Sequence, residues 1–137
     1  MKRTANAHWS GNLKDGKGTL STQSGILDQT NYSFKTRFEE GEKGTNPEEL
    51  LAAAHAGCFT MAVSSMLTQK GITATNLETE ATLTMEDLTI TGIHLAISGE
   101  VPNIDATEFE AIVKDAEKNC LISKVLKIPI TSEAHFR

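Results

Sequence analysis

A chain of 137 residues has the length of one domain and can bury roughly two-thirds of its unfolded surface in a single core, so residues 1–137 are expected to form one domain. Its composition, 39% hydrophobic and 23% charged, is that of an ordinary soluble protein, and 13 basic against 18 acidic side chains leave a net charge of −5, with no basic stripe for nucleic-acid phosphates. The opening MKRTANAHWSG has two basic residues with no apolar run behind them, unlike a signal peptide, and the expected location is the cytoplasm, with no membrane partner.

Alternation predicts strands over Thr4–Trp9, Gly18–Thr22 and Tyr32–Phe38, separated by the turn-rich GNLKDGKG and QSGILDQTN. The polar loop FEEGEKGT, residues 38–45, leads into a clear helix start: Asn46 as N-cap, Pro47 in the first helical position, and Glu49 completing an Asn variant of the capping box. This helix runs to about Lys70 and stops at Gly71, a natural residue for the turn that ends a helix. Alternation returns over Ala74–Met85 and Thr89–Val101, a hairpin with Glu86 and Asp87 at its turn. Asp105 caps a second helix, with Phe109, Ile112, Val113 and Ala116 at helical spacing up to Cys120. A short helix over Ser123–Leu126 and a strand over Lys127–Ala134 end the chain. The order predicts an α+β fold with largely antiparallel sheets.

From Leu50 to Leu67 the long helix is apolar nearly all round, yet short for a bilayer span and interrupted by His55, Gly57 and serines, so it reads as a core helix. One small sheet covers one side only. An oligomer in which such helices pack together under sheets from two subunits resolves the mismatch.

Cys58 and Cys120 have no export signal to accompany them, and a static disulfide would be reduced in the cytoplasm, which leaves inert, metal-bound or redox-active thiols. A lone cysteine on an apolar helix commonly acts as a small hydrophobe. His55, three residues before Cys58, shares its face and admits Cys-His chemistry or part of a metal site, but the four histidines and two cysteines lack ligand spacing such as CxxC, and a hydrogen-bonded core histidine explains it equally. Glu48 and Glu49 suit the dipole of a first helical turn, and Arg37 in TRFEEGEK suits a surface cation among acidic neighbours.

Taken together, TRFEEGEKGTNPEELLAAAHAGCF and the later NCLISKVL resemble the OsmC/Ohr family of bacterial thiol peroxidases, and with AHWSGNLKDGKGTLSTQSG the osmotically inducible protein C branch; the resemblance covers nearly the whole chain. It implies antiparallel sheets packed around a long central helix in an intertwined homodimer. It further implies reduction of organic hydroperoxides, and of hydrogen peroxide less well, in stress defence, without metal or organic cofactor. Cys58 in HAGCF matches the peroxidatic cysteine and Cys120 in NCLIS the resolving one; Arg37 in TRFE matches the arginine that holds the thiolate, and Glu48 the carboxylate that orients it. His55 lies in the motif without an assigned catalytic role. An external dithiol, such as a lipoylated protein, resets the enzyme.

The chemistry accounts for these residue types. Only the thiolate attacks an O–O bond, and a cysteine with the ordinary value of about 8.5 is mostly protonated at neutral pH, so a fixed guanidinium must favour the anion. The resulting Cys58 sulfenic acid condenses with Cys120 before further oxidation. On an unbroken helix Glu48 and Cys58 lie about 15 Å apart along the axis, so an arginine spans the gap, the helix bends, or the groups meet across a dimer interface, as the family's homodimer favours. This chain departs from the family in having Leu121 where proline commonly follows the resolving cysteine, and in a short hairpin around Met85–Thr89. The competing readings are a non-catalytic protein of the same fold holding an apolar ligand at the dimer interface, and a Cys58–His55 hydrolase or acyltransferase.

Overall fold

The structure, a computed structural model, describes residues 1–137. The chain divides into two compact units, Met1–Leu50 and Leu51–Arg137.

In the first unit β1 (Ala5–Ser10), β2 (Lys17–Thr22) and β3 (Thr30–Tyr32) form an antiparallel sheet in chain order. Gly18 in β2 lies under an aromatic pair, Trp9 and Tyr32, whose ring centroids are 5.5 Å apart. A Cβ at position 18 would come within 2.4 Å of the Tyr32 ring and 2.6 Å of the Trp9 ring, closer than side chains pack, so only glycine lets them close over the strand.

The third strand ends earlier than the alternation predicts. Tyr32–Phe38 is split at Ser33, and Phe34–Phe38 is a short helix, α1. Ser33 Oγ accepts the Thr36 N–H at 3.2 Å and Thr36 Oγ1 accepts the Ser33 N–H at 2.7 Å, a reciprocal capping box that satisfies two helix-start donors. Tyr32, Phe34, Thr36 and Phe38 read as a period of two, but Phe34 and Phe38 are also one helical turn apart, and their ring centroids meet at 4.8 Å. Local capping decides between the two periods.

The second helix, α2 (Pro47–Gln69), begins where the sequence places it. Asn46 Oδ1 accepts the Glu49 N–H at 2.7 Å, as an N-cap does. The second arm of the expected box goes elsewhere: the Glu49 carboxylate accepts from Thr45 Oγ1 at 2.8 Å. At the far end Gly71 takes a left-handed φ of 75°, and Ile72 N–H returns to the Leu67 carbonyl at 2.9 Å.

In the second unit β4 (Asn76–Glu86) pairs antiparallel with β5 (Thr89–Glu100). The turn is Asp87–Leu88, both at positive φ, one residue beyond the expected Glu86–Asp87, and this primed geometry suits the twist of two long strands. Two helices, α3 (Ala106–Asn119) and α4 (Leu121–Val125), then carry the chain back to β6 (Ile130–Phe136). β6 runs parallel to β5, the exception to the antiparallel expectation, because the intervening helices return the chain to the same end of the sheet. The short helix starts at Leu121, two residues before the expected Ser123, and the last strand starts three residues after the expected Lys127.

The core joins Phe59, Val63 and Leu67 of α2 to Leu95 and Ile97 of β5 and to Phe109, Val113 and Ala116 of α3. Each fully buried Leu, Ile, Val or Phe among them contributes about 1.5–3 kcal/mol relative to exposure. The α2 helix is long and apolar enough to cross a membrane, but only the stripe His55, Phe59, Val63, Leu67 is buried, and it faces this core. Ala53, Gly57 and Met61 lie exposed in the single chain, so burial on every side is not achieved within one copy.

Candidate active site

The first unit supplies a fixed cation. Arg37 stands in the last turn of α1 and Glu48 in the first turn of α2, and Asn46 joins the two helices by donating from Nδ2 to the Thr36 carbonyl at 3.1 Å. Both Arg37 Nε, at 2.7 Å, and Nη2, at 2.6 Å, donate to Glu48 Oε1. Two short charge-assisted bonds from one edge of a planar fork fix its direction as a single contact would not. Glu48 is mostly buried while the Arg37 side chain is 42% exposed, so the carboxylate is the anchor and the rest of the guanidinium faces outward. The Arg37 Cζ also lies 5.3 Å from the Phe38 ring centroid. Beside it Trp9, Tyr32, Phe34, Phe38 and Pro47 line an open cleft of about 290 Å³, apolar except where Arg37 and Ser33 enter.

The second unit supplies two free thiols on one cleft. Cys58 of α2, half-buried, and Cys120, buried at the junction of α3 and α4, both line an opening of about 550 Å³ walled mainly by Met61, Ala62 and Leu121. Cys120 both closes α3, donating its N–H to the Ala116 carbonyl at 3.0 Å, and caps α4. Leu121 is therefore the first residue of α4. That position is where proline is best tolerated in a helix, because its N–H has no intrahelical partner, so leucine and proline serve the same local geometry. Replacing one by the other need not displace the thiol.

His55 is fully buried one turn from Cys58, and its Nε2 lies 2.8 Å from Ser123 Oγ. The same hydroxyl lies 3.0 Å from Cys120 Sγ, and the Ser123 N–H donates to that sulfur at 3.3 Å. Nδ1 of His55 is buried without a partner. Burial holds the His55 imidazole below the ordinary histidine value, because desolvation penalises the charged ring. Between the lowered native value and the unfolded value near 6.5 the unfolded chain binds a proton that the native chain refuses, so stability rises with pH in that window and His55 adds no slope above it. The urea midpoint is expected to fall as pH drops below about 6.5, and His55→Gln should lose the histidine part of the fall. Parallel midpoint curves for parent and variant would show that His55 carries no such linkage.

The remaining titratable cluster lies on the exposed side of β5 and β6. His94 Nε2 meets Glu133 Oε1 at 2.7 Å and His135 Nε2 meets Glu133 Oε2 at 2.9 Å. The hydrogen bond from His94 holds the Glu133 carboxyl below its ordinary value, assisted by His135. No three His, Cys, Asp or Glu side chains converge in the manner of a metal site.

Of the residues singled out in the sequence, Arg37 and Glu48 are brought together in the first unit, and Cys58 and Cys120 in the second. Ser123 was not singled out. It lies 68 positions from its partner His55, and no spacing rule links a serine to a histidine at that distance. The aromatic wall of Trp9, Tyr32 and Phe34 was missed for a similar reason, since strand alternation was sufficient to explain it.

A family model described as OsmC-like protein matches residues 40–134. Peroxiredoxin OsmC of Escherichia coli (strain K12) is 50% identical over 135 residues, spanning 96% of this chain and 94% of its own. Organic hydroperoxide resistance protein OhrA of Bacillus subtilis (strain 168) is 35% identical over 95 residues, 64% of each chain. Among solved structures, an OsmC-like protein from Mycoplasma pneumoniae superposes with a TM-score of 0.75 at 19% identity, over 99% of this chain and 97% of its own, a likeness of fold. The chain belongs to the OsmC family.

Proposed function

We propose that this protein is a cysteine-based peroxidase that reduces organic hydroperoxides, and hydrogen peroxide less well, to alcohols and water in bacterial oxidative and osmotic stress defence. The observation that carries the reading is the pair of free thiols, Cys58 half-buried and Cys120 buried, lining one cleft in a chain of this family. Cys58 thiolate attacks the outer peroxide oxygen, the O–O bond breaks, and the alkoxide leaves with a proton as alcohol, so that the sulfur is oxidised to sulfenic acid. Cys120 then attacks that sulfur; an S–S bond forms, the S–O bond breaks and water departs. An external dithiol, such as a lipoylated protein, reduces the disulfide by thiol exchange.

Arg37 is assigned the charge that favours the reactive thiolate, and Glu48 its orientation. The working unit is a homodimer in the cytoplasm, with the active site built between subunits. The exposed apolar face of α2, with Met61 74% exposed, supports that assembly because a patch of this kind seeks cover. No cofactor is required.

The test is a free-thiol count with intact mass on reduced protein given one equivalent of tert-butyl hydroperoxide, beside a solution mass. Loss of both thiols within seconds, a decrease of about 2 Da per chain and the mass of two chains are expected. Two thiols intact after minutes would replace the enzymatic reading with that of a binder of an apolar ligand, and a fully active monomer would remove the intersubunit site.

A further inference from the structure

We infer that Ser123 and His55 form a proton relay that activates Cys120 for the resolving step. The inference rests on Cys120 being the resolving thiol. Three groups from two separate stretches of chain, α2 and the start of α4, meet in succession: Cys120 Sγ, then Ser123 Oγ at 3.0 Å, then His55 Nε2 at 2.8 Å. All three residues are buried in the chain.

A serine hydroxyl has one hydrogen, and its two neighbours leave two arrangements. In the resting one the Cys120 S–H donates to Oγ, Oγ–H donates to Nε2, and Nδ1 carries the ring proton. When the Oγ proton passes to Nε2 and the thiol proton passes to Oγ, the sulfur becomes a thiolate and the ring an imidazolium, with no net change of protons. The thiolate is then met by two donors, the Ser123 hydroxyl and the Ser123 N–H at 3.3 Å, both of which favour the anion. As Cys120 attacks the Cys58 sulfenic acid, the hydroxide that leaves takes up the proton released through the relay and departs as water. Burial makes the imidazolium short-lived, as is suited to a proton held only until the leaving group needs it.

A packing role alone does not account for this arrangement. His55 occupies the first place of a stripe continued by Phe59, Val63 and Leu67, where a leucine would fill space without polar cost. Instead a ring with its Nδ1 buried and unpartnered is kept there, a penalty of about 1–3 kcal/mol. No ion pair involves His55, Ser123 or Cys120, and the one other titratable side chain lining the cleft with Cys120 is Cys58. Ser123 touches the reacting sulfur and is a catalytic residue in this scheme; His55 acts through it.

The test follows reduced protein mixed with one equivalent of tert-butyl hydroperoxide, reading dimedone-trappable sulfenate and then disulfide in the same time course. The ratio of the second rate to the first is compared among parent, Ser123→Ala, His55→Gln and the hydroxyl-retaining Ser123→Thr. Near neutral pH the ratio should fall on the order of a hundred-fold in Ser123→Ala and His55→Gln. The deficit should close at alkaline pH, where hydroxide removes the thiol proton directly, and Ser123→Thr should recover much of the parent ratio. A parent-like ratio in both variants, or a deficit equal at every pH, overturns the relay. The unaltered protein gives a check that does not depend on variant folding: two protons in flight make the resolving rate curve downward with deuterium fraction, and a straight or flat dependence overturns the relay as well. A parent that forms no disulfide sinks the resolving role of Cys120 and the relay together, whereas a parent that forms it with insensitive variants sinks the relay alone.

Discussion

Cys58→Ser should show no turnover of tert-butyl hydroperoxide, a loss of several orders of magnitude, because a serine hydroxyl at neutral pH is neither ionised nor able to pass through a sulfenic acid. Cys120→Ser should behave differently: it should consume one equivalent of peroxide per chain and stop, leaving a sulfenic acid that dimedone captures and mass spectrometry counts. The asymmetry follows from the surroundings of each thiol. Cys58 is half-buried beside the opening, where a peroxide can reach it, whereas Cys120 is 2% exposed and is met by Ser123. Equal activity in the two variants, or dimedone adducts only at Cys120, would reverse the assignment. Both substitutions keep the side chain small, so a large change in unfolding midpoint is not expected to obscure the reading.

Arg37→Ala should slow sulfenate formation near neutral pH by about one to two orders of magnitude, and the pH needed for rapid reaction should rise. The sign is set by charge: a fixed cation favours the thiolate, and its removal leaves more of the thiol protonated at a given pH. Glu48→Gln should give a smaller shift in the same direction, since the guanidinium stays but loses the carboxylate that receives both Nε and Nη2. Stability should also fall in Arg37→Ala, because the Glu48 carboxylate, 12% exposed and with Oε2 already buried without a partner, is left without its counter-charge. Stopped-flow measurement of sulfenate formation across pH decides the matter, and a superimposable profile for parent and Arg37→Ala would take Arg37 out of the mechanism.

The local signals in the chain differed in how well they survived folding. The start of α2 was legible because Asn46, Pro47 and Glu49 each act over three residues or fewer, and the cap is made as expected. Its end was legible because Gly71 can take a left-handed φ at no steric cost. The stretch Tyr32–Phe38 is ambiguous in sequence because its aromatic residues satisfy periods of two and of about four alike, and the Ser33–Thr36 capping box chooses the helix over Phe34–Phe38. The direction of β6 was not legible from its own residues. Strand alternation is the same in either direction, and the parallel pairing with β5 follows from the connection through α3 and α4.

By itself the sequence determined the α+β order and the long apolar helix, and it singled out four candidate residues, Arg37, Glu48, Cys58 and Cys120. These are properties of residue type, short-range spacing and motif. Only the tertiary structure decided which partners those residues keep. It joined Arg37 to Glu48 across a loop, set Cys120 on the same cleft as Cys58, and brought Ser123 between His55 and Cys120. The physical reason is that hydrogen bonds and ion pairs depend on distances of about 3 Å. Contacts between residues tens of positions apart are set by how the core closes, and no periodicity in the chain encodes them.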